Sequence, residues 1–255
     1  MLEKARHLPC DVVVLDLEDS VAPDAKTAAR NAVCAAVKNY GTREVVVRVN
    51  ALASSYGPAD LEAVRAAAPD AVLLPKVESA ADILAAKGPL PIWAMIETPL
   101  GVLNAAAIAA SGVTCLAMGT NDLLKAMRAQ SLPDRRNLWP ALSAAVLAAR
   151  AHGASVIDGT FNDLADDAGF AESCAQGRAF GFDGKTLIHP AQIESCNRIF
   201  APSPEDIVQA RRILEAFAKN PGKGAIALDG RMVERLHAEE ATRILALART
   251  IESRG

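Results

Sequence analysis

Residues 91–122 read PIWAMIETPLGVLNAAAIAASGVTCLAMGTND, and the fold follows from this stretch. It holds two short apolar runs, residues 91–96 and 113–118, each bounded by Gly or Pro and each followed by an acid, Glu97 or Asp122. A short, continuously apolar run suits a strand buried on both faces, as in a parallel sheet covered by helices. Residues 102–111 between them are Ala-rich and long enough for a crossover helix, which makes one strand–helix–strand unit. Ligands in such architectures bind at the carboxyl ends of the strands. Two carboxylates at neighbouring ends can seat a hard divalent cation such as Mg²⁺. They can also simply cap the segments that follow, and spacing alone leaves both readings open.

The same alternation extends outward in both directions. Strand-like runs fall at residues 11–17, 44–49, 71–75, 91–96, 113–118, 154–157 and 182–188. Helical patterns separate them at 24–39, 58–68, 79–86, 137–152 and 165–180, with Gly41 and Gly153 as C-caps, Pro58 at a first helical position and Ser79 as an N-cap. So regular a succession predicts a parallel sheet with outer helices, a TIM (β/α)8-type barrel lacking one strand. After residue 188 the pattern changes. Helices are expected at 190–200 and 204–219, then a Gly/Pro-rich linker, a turn at Asp229-Gly230, and an amphipathic helix over 232–250. The expected division is a barrel over 1–202 and a C-terminal helical lid over 203–255.

Composition narrows the partners. The chain has 255 residues, enough for a sizeable core, and a net charge of −3 that offers nothing to a nucleic acid or an anionic membrane. No apolar run approaches the ~20 residues that span a bilayer, and no cleavable leader is legible at the start. The five cysteines are scattered and without CxxC spacing, which suits free thiols in a reducing cytoplasm.

Polar residues gather at the strand ends: Glu18 and Asp19 after the first, Arg48 and Asn50 at the second, Lys76 at the third, then Glu97, Asp122 and Asp158, and His189 beyond Lys185. This rim carries the active site in barrel enzymes. Acids outnumber bases there, and an excess of carboxylates calls for a cation. Carboxylates without a His or Cys cluster favour Mg²⁺ or Mn²⁺ over zinc. No HExxH motif, nucleophile elbow, GxGxxG or P-loop is present. Glu18 and Asp19 read either as a shell around metal-bound waters or, for Asp19, as a helix cap. Lys76 reads as a catalytic lysine or a salt-bridge partner, and His189, before Pro190, as structural.

The segments VVVLDLEDSVAPDAK, VVVRVNAL, AVLLPKVES, WAMIETPLGVLNA, AMGTNDL and GFDGKTLIHPAQ together resemble the HpcH/HpaI aldolase and citrate lyase beta-subunit family, in its order and roughly its spacing. LEDSV and GKTLIHP are most similar to the citrate lyase beta-like and malyl-CoA lyase branch. The resemblance implies a Mg²⁺-dependent carbon–carbon lyase that cleaves a 3-hydroxyacyl thioester, of the citryl, malyl or citramalyl kind, to an acyl thioester and a 2-oxo acid. It places the metal ligands on Glu97 and Asp122, the substrate-binding arginine on Arg48, and the paired acids near the metal waters on Glu18 and Asp19. Lys26 and Arg30, near the rim, are candidates for binding the CoA or acyl-carrier portion. A homo-oligomer, trimer or hexamer, is also implied. Two alternatives are a class II aldolase on free 4-hydroxy-2-oxo acids and a catalytically silent CoA-ester-binding barrel. Two departures stand out. Family members begin with a strand of the type LFVPG, whereas this chain opens with MLEKARHLP, similar to the helix after it. In the lid-like segment DGRMVERLH, Glu234 stands where some relatives place a catalytic Asp.

Overall fold

The computed structural model describes residues 2–254. They form two compact units divided between Cys196 and Asn197. The first is organised on seven strands: β1 (Val12–Asp16), β2 (Glu44–Arg48), β3 (Ala71–Leu74), β4 (Ile92–Ile96), β5 (Cys115–Met118), β6 (Ser155–Asp158) and β7 (Gly184–Lys185). All pair in parallel and in sequence order, so each strand's neighbours in the chain are its neighbours in the sheet. The result is a curled, TIM-like α/β sheet. It is open among the described residues, because β1 and β7 each pair on one side only.

Helices fill the crossovers. α1 (Leu2–Ala5) precedes β1, and α2 (Lys26–Ala36), α3 (Gly57–Ala67) and α4 (Ala80–Ala85) follow the first three strands in turn. Ser79 and Asp82 cap α4 reciprocally, satisfying backbone donors that its first turn leaves free. After β4 the expected single helix over 102–111 is two, α5 (Pro99–Leu103) and α6 (Ala105–Ala110). Asn104 ends one and begins the other, its side-chain amide donating to the Glu78 carbonyl at 2.8 Å. A short polar side chain anchored to a distant backbone group favours such a break. α7 (Thr120–Met127) follows β5, α8 (Trp139–His152) and α9 (Asp167–Phe180) flank β6, and α10 (Gln192–Phe200) crosses the division between units. α8 and α9 stop at Gly153 (φ 70°) and Gly181 (φ 97°), where a left-handed residue closes the last turn. The last strand is shorter than the apolar run at 182–188 suggests. Gln192 Oε1 accepts the Ile188 and His189 amides at 3.1 and 3.3 Å and draws that backbone out of the ladder.

The second unit comprises α11 (Pro204–Ala218), a hairpin of β8 (Ala225–Leu228) and β9 (Arg231–Glu234), and α12 (Arg235–Arg254), which packs on α11. The helix expected from residue 232 starts at Arg235, because residues 231–234 are strand. Asp229 (φ 51°) and Gly230 (φ 75°) both turn left-handed, the geometry of a two-residue hairpin turn that folds the chain back on β8. No helix among the described residues is long and apolar enough to cross a membrane.

Strand parity positions the site. Side chains alternate between faces along a strand. Val46, Leu73, Trp93, Met95, Cys115 and Ala117 make one buried cluster, with Val12, Val14 and Ile157 packed against it from strands near the open edges. Two residues beyond Val14 on the same face is Asp16; two beyond Val46 is Arg48; two beyond Met95 is Glu97. The interior face is therefore apolar at its base and ionic at its carboxyl end.

Candidate active site

A cavity of about 280 Å³ opens at that carboxyl end, entirely within the first unit. Asp16, Asp19, Arg48, Glu97 and Asp122 line it, together with Thr120, Asn121, Thr160 and Thr186. Val14, Leu73, Met95 and Ile157 contribute apolar surface.

Arg48 sits at the centre of the charge network. Asp16, its in-register partner across the β1–β2 ladder, accepts Nε at 2.7 Å and Nη2 at 2.6 Å, a two-pronged pairing. The remaining Nη1 lies 3.1 Å from Glu18 Oε2, 3.7 Å from Asp19 Oδ2 and 3.7 Å from Met95 Sδ. Burial would raise the Asp16 carboxyl, but the Arg48 fork and charge hold it at about 2. Burial would lower the guanidinium, yet the acids around it raise its pKa above the ordinary arginine value.

Lys76 joins the two acid groups. Its ammonium is 2.5 Å from Glu18 Oε1, and its backbone N–H donates to Glu97 Oε1 at 2.7 Å. That backbone is left-handed (φ 52°), a conformation that a long side chain adopts at a cost and that turns the N–H toward Glu97. The Lys76 side chain is thus a salt-bridge partner of Glu18, one of the two roles read for it from sequence. Burial alone would lower its pKa, and Glu18 raises it above the usual lysine value.

Glu97 is nearly inaccessible to solvent, at 1%. Burial pushes its carboxyl up to about 7, helped by the negative charges of Glu18 and Asp122, against the Lys76 N–H and charge. The carboxylate packs on Gly119: a Cβ there would lie 2.4 Å from Glu97 Cβ and 2.5 Å from Oε2. Glu18 is also buried, and desolvation raises its pKa in spite of Lys76 and Arg48. Its Oε2 pairs with Arg48 by charge but accepts no well-aligned hydrogen bond. Asp122 lies in the first turn of α7, not at the end of a strand.

The oxygen-rich lining suits a hard cation, and no His or Cys lines the cavity. No cluster of three or more His, Cys, Asp or Glu capable of caging a metal exists among the described residues. A smaller carboxylate set fits Mg²⁺, which binds through one or two carboxylates and keeps several waters.

Other residues read from sequence fall elsewhere. Lys26 is buried, its ammonium donating to the Leu17 carbonyl at 2.8 Å and the Glu18 carbonyl at 2.6 Å. Arg30 donates to Asp60 at 2.6 Å, and Asp60 in turn holds Asn50. Neither Lys26 nor Arg30 lines the cavity, and both are engaged by internal partners. Asp158 does not join the rim cluster either. It is fully buried, paired with Arg135 at 2.8 Å and Lys185 at 2.9 Å. His189 is exposed, with Nδ1 accepting the Ala191 amide. Glu234 ends β9 in the second unit, its N–H donating to His237 Nδ1 at 3.0 Å. Sequence reasoning missed Asp16, although its alternation with Val14 was a sufficient signal.

A family model described as HpcH/HpaI aldolase/citrate lyase matches residues 1–190. A (3S)-malyl-CoA thioesterase of Cereibacter sphaeroides is 48% identical, over 98% of this chain and 90% of that protein. The citrate lyase subunit beta of Escherichia coli is 35% identical, over 97% of this chain and 89% of that protein. Among solved structures, CitE of Mycobacterium tuberculosis in complex with magnesium, acetoacetate and coenzyme A superposes with a TM-score of 0.81. It is 35% identical and covers 94% of this chain and 90% of its own.

Proposed function

Because the chain belongs to the HpcH/HpaI aldolase/citrate lyase family, we propose that it is a Mg²⁺-dependent enzyme acting on the CoA thioester of a short hydroxy dicarboxylic acid, malyl-CoA being the type. The observation that carries this reading is the cavity that brings Arg48 to the same mouth as Glu97 and Asp122. Glu97 and Asp122 would hold Mg²⁺, with waters completing its shell. When bound, the ion supplies Lewis acidity at a substrate oxygen.

The chain's own groups divide the remaining work. Arg48, always charged, presents Nη1 to an oxygen that gains negative charge. Glu18, buried behind the cavity wall beside Arg48 Nη1 and with its pKa raised by desolvation, is the acid we assign to take a proton. Asp19, at the cavity edge, orients water. The 48% identity to a malyl-CoA thioesterase favours hydrolysis: water adds to the thioester carbonyl, its proton passes to Glu18, the C–S bond breaks and the sulfur is protonated as free CoA. The products are malate and CoA. The second reading, favoured by the citrate lyase relative, breaks the C2–C3 bond of the same ester. The hydroxyl proton passes to Glu18 as the C3–O bond becomes a carbonyl, the C2–C3 electrons pass into the thioester enolate, and return of the proton to C2 gives acetyl-CoA beside glyoxylate.

Product analysis after incubation with malyl-CoA and Mg²⁺ tests this. Malate with free thiol supports hydrolysis, and glyoxylate with acetyl-CoA supports carbon–carbon cleavage. No Mg²⁺-dependent turnover of malyl-, citramalyl- or citryl-CoA would reject both. Pyruvate production from free 4-hydroxy-2-oxo acids would favour the aldolase alternative.

A further inference from the structure

Asp16 makes four hydrogen bonds that converge on the cavity's charged wall. Oδ1 accepts Arg48 Nε at 2.7 Å and the Glu18 amide at 2.9 Å. Oδ2 accepts Arg48 Nη2 at 2.6 Å and the Ser20 amide at 3.1 Å. One carboxylate thus fixes the plane of the guanidinium and, with the same two oxygens, pins the turn that carries Glu18 and Asp19. With Nε and Nη2 occupied, Nη1 is the corner of Arg48 left beside Glu18, Asp19 and Met95. A guanidinium on a flexible stem samples many rotamers, and a bidentate partner removes that freedom before a ligand arrives.

We propose that Asp16 is the positioning residue of this site, acting through Arg48 and the Glu18–Asp19 turn: it aims Nη1 at the reacting oxygen and sets its spacing from Glu18. The inference rests on the reading of Arg48 as the substrate-facing cation. Asp16 exchanges no proton with the substrate; it stays ionised across any ordinary assay range, because the Arg48 fork and charge hold its pKa at about 2 against burial. Displacing a reacting group by about 1 Å costs on the order of a hundredfold in rate. Asp16→Asn places an amide N–H₂ against guanidinium donors and breaks one prong of the fork. Asp16→Glu keeps the charge at a longer reach.

The test is a double-mutant cycle with Arg48→Lys, read on malyl-CoA with Mg²⁺, together with solvent exchange of the Arg48 Nε–H followed by NMR in substrate-free protein. The expected result is a fall in kcat of about a hundredfold for Asp16→Asn with KM within about threefold, but less than about threefold further loss when Lys already replaces Arg48. Asp16→Glu should recover at least about tenfold of the loss, and Nε–H exchange should accelerate in Asp16→Asn. An equal hundredfold loss in both backgrounds would overturn the proposal, because Asp16 would then act independently of Arg48. Unchanged Nε–H exchange would also overturn it, and this arm stands even if no thioester is turned over. A failed functional reading appears instead as wild-type inactivity with the exchange difference intact.

Discussion

Two ion clusters lie at the carboxyl end of the sheet, and they are built from the same materials. At β1–β2, Asp16 and Arg48 face each other across a parallel ladder; at β6–β7, Asp158 and Lys185 do the same. The first pair lies on the parity of Val14 and Val46 and looks into the barrel mouth. The second lies on the parity opposite Ile157, whose side chain packs against the interior cluster. That single-residue offset separates their fates. Asp158 is saturated, with Arg135 on both oxygens, Lys185 on one and the Gly159 amide on the other, and both Asp158 and Lys185 are buried. The inward cluster sets Asp16, Glu18, Asp19, Glu97 and Asp122 against Arg48 and Lys76, leaves Glu18 Oε2 short of a donor, and borders a cavity. A closed, satisfied cluster ties elements together. An open one with surplus negative charge is fit to receive a cation.

Arg48→Ala should lower kcat/KM by about a thousandfold or more, the scale of losing a donor to a developing charge, in steady-state assays. Asp158→Ala should act on folding rather than chemistry. It strands the buried Lys185 and Arg135 charges and should cost about 3 kcal/mol or more in urea unfolding, while any soluble fraction retains its Mg²⁺ response. A purely kinetic effect would reverse the roles assigned to the two clusters.

The third effect is in acid. The folded-state pKa of Asp16 is depressed to about 2, so its contribution is complete above the ordinary carboxylate value near 4 and disappears as pH falls from about 4 to about 2. That contribution is about 2 kcal/mol for a side chain that is 18% exposed, and the slope of stability against pH in this window should flatten in Asp16→Asn. A slope unchanged in the variant would mean that other carboxylates govern acid unfolding. The smallest effect concerns Gly119. Gly119→Ala forces Glu97 off its seat and should weaken Mg²⁺-induced thermal stabilisation by about tenfold in apparent affinity, a shift worth about 1.4 kcal/mol.

Much of this was legible in the chain. The apolar runs of β3, β4 and β5 are buried at every position, which is why their continuous hydrophobicity identified a covered parallel sheet. Glu97 was read correctly as a group at a strand end for the same reason. What composition and pattern did not carry is parity and short-range polar geometry. Asp158 looked like one more rim acid because the end of a strand says nothing about the face, and only Ile157's place in the core settles it. Lys26 and Arg30 looked available because a sequence does not show that the Leu17 carbonyl and Asp60 will claim them. The split at Asn104 and the β9 strand at Met232 arise from one anchored amide and one left-handed turn, local details that helical periodicity overrides.

We propose that the inward cluster receives a divalent cation through Glu97 and Asp122. Titration with Mn²⁺ as a paramagnetic stand-in for Mg²⁺, followed by EPR on the wild-type chain, Glu97→Gln and Asp122→Asn, addresses it without any substrate. One site in the wild-type protein, weakened at least about a hundredfold in each variant while the fold is retained, is the expected result. Equal Mn²⁺ affinity in all three proteins would contradict it.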